Sequence, residues 1–193
     1  MDRRIPLIAL ILAVSSLPAD AHTGIGMATG LAAGLSHPFA GLDHLLAMTA
    51  VGLWAASLGG RAIWAVPIAF MAAMGLGGGL GLGGMPFPTV EFMIGLSVVA
   101  LGALVAFNVK VPATAGMAIV AAFALAHGHA HGSEMPATAS ALAYGAGFIA
   151  ATAILHAVGI GAGLTVQRLV TPAVSRIVGG GIAALGLSLV VAG

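Results

Sequence analysis

Residues 113–131, Ala-Thr-Ala-Gly-Met-Ala-Ile-Val-Ala-Ala-Phe-Ala-Leu-Ala-His-Gly-His-Ala-His, decide how this chain is read. The stretch is apolar from Ala115 through Ala126 and close to the roughly 20 residues that carry an α-helix across a bilayer. It closes on His127, His129 and His131, with Gly132-Ser133-Glu134 directly after. Imidazole is costly in hydrocarbon, so a membrane segment that closes on three of them marks a pathway or a site. Imidazole is also the commonest nitrogen ligand for transition metals. A second polar cluster, His37-Pro-Phe-Ala-Gly-Leu-Asp43-His44, lies far upstream. The two clusters together point to a membrane protein that handles a transition-metal ion.

Composition carries the membrane reading to the whole chain. The 193 residues are 60% hydrophobic and only 6% charged, against about 25% charged in a soluble domain. That leaves no polar shell to face water. The expected fold class is therefore an all-α integral membrane protein, with residues 22–193 forming a single transmembrane helical domain. A β-barrel requires alternating polarity, which is absent. Spans are read at Leu42–Leu58, Ala62–Leu82, Val90–Asn108, Ala113–His131, Ala137–Gly163 and Pro172–Val191, about six helices in all. There is no cysteine, so disulfides, thiolate metal sites and iron–sulfur clusters are excluded and the ligands must be nitrogen and oxygen. The net charge of +1 leaves no basic patch for nucleic acid. Gly77 to Gly84 lacks the Gly-Lys-Ser/Thr ending of a phosphate loop, and no ATP-binding signature occurs elsewhere.

The N-terminus reads as a signal peptide over residues 1–21: Arg3 and Arg4, a short apolar run from Ile5 to Leu17, then Ala19-Asp20-Ala21 as a cleavage site. An uncleaved anchor helix is the alternative. Cleavage would expose His22, whose amine and ring together form a potential chelate. Beyond the signal, Arg61, Lys110, Arg168 and Arg176 fall in or beside alternate breaks between spans, and Glu91 and Glu134 beside the others. The positive-inside rule then puts the four cations in the cytoplasm and the mature N-terminus in the periplasm of a bacterial inner membrane. Thr23 to Leu35 is apolar but short, and reads as a re-entrant or interfacial piece on the outer face, or else a tilted span. Pro38 fits the first turn of a helix, which would put His37 at the mouth of the first span. Glycines at four-residue spacing (Gly26, Gly30, Gly34; Gly75, Gly79, Gly83; Gly159, Gly163) read as helix-packing faces. Trp54 and Trp64 flank the Arg61 loop and fit an aromatic belt.

This alternation brings both clusters to the same side. His127 and His131 share a helical face, which Glu134 continues, whereas His129 points elsewhere in an ideal helix unless Gly128 and Gly132 unwind it. His37 and His44 are about 10 Å apart along a regular helix and can share an ion only if the chain breaks near Pro38. Of Asp43 and His44, one can orient the other rather than bind directly. The candidate metal-capture site is Asp43, His44, His127 and His131, with His37, His129 and Glu134 as capture or supporting groups. The alternatives are a helix-end histidine for His37, a supporting or solvent-facing group for His129, a loop acid for Glu134 and a metal-free hydrogen-bonded pair for Asp43 and His44. His156 lies deeper in the fifth span, as a relay on the exit path or a packing histidine. Met48 offers a thioether or a packing contact.

At these residues the chain resembles the HupE/UreJ family of membrane proteins, nickel permeases encoded with hydrogenase or urease systems. The family's early motif, His, five residues, then Asp-His, matches His37, Asp43 and His44. Its histidine-glycine-rich motif ending in Glu matches His127 to Glu134, with Ala126 where the family often has Phe. The resemblance implies nickel(II) as transported substrate, with cobalt or another divalent cation as the alternative. It also implies an uptake facilitator that works without ATP hydrolysis and without an organic cofactor. A membrane metal-dependent enzyme is the runner-up, but spacings such as His-x-x-His-His are absent. A non-transporting metal-binding accessory protein is the third reading. Oligomeric state is left open, a homo-oligomer included.

Overall fold

In hydrocarbon a backbone N–H has no water to bond, so each apolar segment must pair its own amides, and the α-helix is the local solution. The computed structural model describes residues 30–135, 140–169 and 172–192. The signal peptide, His22 and the first part of the Thr23–Leu35 segment lie outside the described residues. Among those described there are seven helices and no strand: α1 Gly30–Ala40, α2 Leu42–Leu58, α3 Ala62–Leu82, α4 Val90–Ala106, α5 Ala113–Ser133, α6 Ala141–Leu169 and α7 Pro172–Ala192. Four of them, α3, α5, α6 and α7, are long and apolar enough to cross a membrane, or five crossings if α1 and α2 form one broken span. The expected six depends on α2 and α4, whose 17 residues each extend only about 25 Å, at the lower limit for a bilayer core.

The main packing pairs are α3 with α5, α4 with α7, and α2 with α6, with α1 lying on α6. Small residues make the closest of these contacts. A Cβ at Gly128 would collide with the Met74 carbonyl, and one at Gly132 with the Gly78 carbonyl. Backbones that close gain packing contacts that larger residues would forbid in lipid. The expected stripe on α3 is thus displaced: Gly75 and Gly79 face open space, and Gly77 and Gly81 meet α5 instead. Gly159 and Gly163 pack on α2 as the spacing predicted. The core is small and alanine-rich around Trp54, Phe70 and Met48, while Trp64, Leu76, Leu142, Ile177 and Val191 face outward. Trp54 is not a belt residue. It is fully buried, and its indole N–H donates to the Val109 carbonyl at 2.9 Å, tying the end of α2 to the loop before α5. Lys110 reaches the same helix end by donating to the Ser57 carbonyl.

The first two helices differ from expectation in one respect that shapes the site. Pro38 lies in the last turn of α1, not the first turn of a span. The chain then breaks at Gly41, and α2 leaves at 83° to α1. A side chain at Gly41 would stand 2.7 Å from the Asp43 carboxylate and 2.9 Å from His44 Nδ1, so glycine there leaves room for the Asp43–His44 pair, while its extended backbone is one any residue adopts.

Candidate metal site

The bend lets two histidines seven residues apart reach one place. His37 leaves the end of α1, His44 the first turn of α2, and both meet His131 from the last turn of α5. The ring of His131 lies 4.7 Å from that of His37 and 4.3 Å from that of His44, centroid to centroid. His44 in turn stands edge-on to His127, 4.8 Å away. Helix α5 is continuous through this region. Gly128 and Gly132 therefore pack α5 on α3 and do not unwind it, and His127 and His131 keep the common face that their spacing implies.

The outermost group of donors is His37, His131 and Glu134, one ligand atom of each lying within 4.8 Å of the others. The Glu134 carboxylate is 4.0 Å from His37 Nε2, and both side chains are partly exposed. A modest shift of these rim groups would close that triangle around a cation. Phe148 lies 4.0 Å from His131, its ring tilted by 43° to the imidazole, and Tyr144 sits one turn earlier with a buried, unpaired hydroxyl. These two α6 aromatics wall the site. Sequence reasoning missed both. The signal available was their four-residue spacing with Thr152 and His156, which puts all four on one helical face.

Hydrogen bonds set which ring nitrogen each inner histidine offers. Asp43 Oδ1 accepts the backbone N–H of His44 at 2.8 Å and the ring Nδ1–H at 2.7 Å. One carboxylate thus satisfies a first-turn amide that has no helical partner and holds the ring, as carboxylates do for metal-bound histidine. His44 Nε2 is left buried without a partner. For His127 the logic runs through Ser97. The Ser97 hydroxyl donates its only proton to the Ile94 carbonyl at 2.6 Å. It must therefore accept from His127 Nε2, 2.8 Å away, and His127 Nδ1 stays free and buried. Both nitrogens of His131 are buried and unpartnered. Unpaired buried nitrogens cost stability, and a bound cation would satisfy them. Ser97 is a second residue the sequence did not reveal, because a serine inside an apolar run has no spacing to distinguish it.

The remaining candidates sit apart. His129 turns to the opposite side of α5, where its Nε2 bonds the Met85 carbonyl at 2.6 Å and its ring meets Phe87 edge-on at 5.4 Å. It braces the α3–α4 loop and does not join the cluster. His156 is buried further along α6, edge-on to Phe70 at 5.2 Å, and Phe70 in turn is 5.9 Å from His127. Phe70 thus separates His156 from the other imidazoles.

Residues 9–189 match the family model described as HupE / UreJ protein. The chain is 49% identical over 185 residues to the protein named Protein HupE of Rhizobium leguminosarum bv. viciae, an alignment covering 95% of this chain and 97% of that one. No solved structure matches it.

Proposed function

The chain belongs to the HupE/UreJ family, and from that premise we propose that it is a nickel(II) uptake facilitator of the bacterial inner membrane. In this reading residues 1–21 are a cleaved signal, six helices span the bilayer, and the rim bearing Glu134 faces the periplasm. The observation that carries the proposal is the position of His131, in reach of both the rim pair and the inner pair.

A hydrated cation first meets Glu134, whose carboxylate offsets its charge, and His37 beside it. Imidazoles replace part of its water shell, beginning with His131. From there it passes to His44 Nε2 and His127 Nδ1, the two nitrogens that Asp43 and Ser97 leave free. Neutral imidazole and carboxylate suit nickel and cobalt alike, so cobalt(II) is a second substrate on the same donors. Histidine must be unprotonated to ligate, so acidification weakens capture. In this reading transport proceeds without nucleotide hydrolysis. The same donor set would also serve an accessory protein that binds without transporting, and flux separates the two.

The test is uptake of radioactive nickel by cells expressing the intact chain, His44→Ala or His131→Ala at matched membrane levels. Uptake in both variants should fall to that of cells lacking the protein. Uptake at the level of the unaltered chain in both would refute the proposal.

A further inference from the structure

Beyond the histidine cluster, two helices bring soft donors together against a third in the middle of the bundle. Met48 lies one turn past His44 on α2, Met74 one turn past Phe70 on α3, and Thr152 one turn past Phe148 on α6. All three are buried. The Thr152 hydroxyl lies 3.4 Å from Met48 Sδ and 3.8 Å from Met74 Sδ, so both thioethers converge on one point. Its single proton has a better acceptor in the Phe148 carbonyl at 2.9 Å, and both sulfurs therefore keep their lone pairs. One turn further along the same face of α6 stands His156. It is 2% exposed and neither ring nitrogen has a partner. A fully buried imidazole with two unpaired nitrogens calls for an explanation, and apolar packing against Phe70 supplies none.

We propose that Met48 and Met74, with His156 one turn beyond them, form an inner metal station of two successive steps, which receives the ion from the histidine cluster on its way across the membrane. This rests on the transport reading above and deepens it. The sequence of donors has a physical logic. A carboxylate and imidazoles at the rim strip water from the cation, and passage then requires a site that binds less tightly than the one before. Thioethers are weak, soft ligands and imidazole suits nickel(II), whereas magnesium, calcium and manganese prefer oxygen. The inner station therefore also discriminates, since an oxygen-seeking ion that slips past Glu134 meets sulfur and an imidazole.

The experiment uses the full chain in proteoliposomes, with nickel(II) flux into the lumen read alongside equilibrium nickel binding in detergent. Met48→Leu/Met74→Leu removes both sulfurs at nearly constant volume, a change that cores tolerate. His156→Phe removes the two nitrogens and keeps a ring, and decides the matter alone should the double variant fail to fold. Flux should drop about tenfold in each, the lower end of what a metal site loses even with a supporting group, while nickel binding at the His131 cluster stays at its original value. Undiminished flux in the variants, with flux in the unaltered chain, overturns the inner station and leaves the transport reading standing. Loss of binding along with flux in folded variants also overturns it, because the sulfurs would then belong to the capture site. No flux in the unaltered chain overturns the transport reading itself.

Discussion

Asp43→Asn separates a supporting carboxylate from a ligating one. In the structure one oxygen of Asp43 accepts two N–H groups of His44, one from the backbone at 2.8 Å and one from the ring at 2.7 Å. Asparagine is the same shape and retains an acceptor oxygen, so both contacts survive as neutral hydrogen bonds. A bond to a charged partner is worth about 1.5–3 kcal/mol net and a neutral one about 1 kcal/mol. The ring bond therefore weakens by about 1 kcal/mol, and this reaches the metal through a less basic Nε2. Nickel affinity should fall about tenfold, since 1.4 kcal/mol is a factor of ten and supporting groups of this kind are worth 10–100-fold. The backbone bond sits at a partly exposed helix start, so its weakening costs stability by only about 0.5 kcal/mol after allowance for solvent. The assay is calorimetric nickel titration of purified protein, run beside His44→Ala. Affinity equal to that of the unaltered chain would show that the carboxylate does not hold the ring. Loss as complete as that of His44→Ala would show that Asp43 binds the ion itself. Either result refutes the tautomer argument.

Two further substitutions probe the surrounding fold. His129→Ala should leave nickel affinity unchanged and lower the thermal midpoint, because that ring braces the Met85 carbonyl and Phe87 away from the cluster; a clear loss of affinity in the same calorimetric titration would contradict this placement. Gly128→Ala drives a Cβ into the Met74 carbonyl and should destabilise the α3–α5 pair by about 1–3 kcal/mol, as overpacking does, read as a lower unfolding midpoint in detergent; an unchanged midpoint would mean that the close approach of the two helices is not required.

Much of the site could be read in the linear chain because helical periodicity is local. His127 and His131 are four apart and had to share a face, and His129 had to leave it. The alternation of spans predicted the end of α5 and the start of α2 on one side, and their contact was decided by packing. The prediction for Gly75 and Gly79 failed for the opposite reason. Four-residue spacing marks a face that permits close approach, but two offset glycine rows exist on α3, and only the shape of α5 decides which one is used. Pro38 was similarly ambiguous, since proline is tolerated at a helix start and here falls in the last turn before the Gly41 bend.

A helical membrane protein with its donors gathered toward one end was inescapable from composition and order. A chain with 6% charged residues cannot face water over most of its surface, and in lipid its backbone must bond to itself. What needed three dimensions was the chemistry of individual atoms. The free nitrogens of His44 and His127 depend on Asp43 and on a serine thirty residues away, and the convergence of Met48, Met74 and Thr152 depends on three helices meeting. Spacing along one helix states which way a side chain turns. It carries no information about the neighbour that waits there, because that neighbour is chosen by packing between segments distant in the chain.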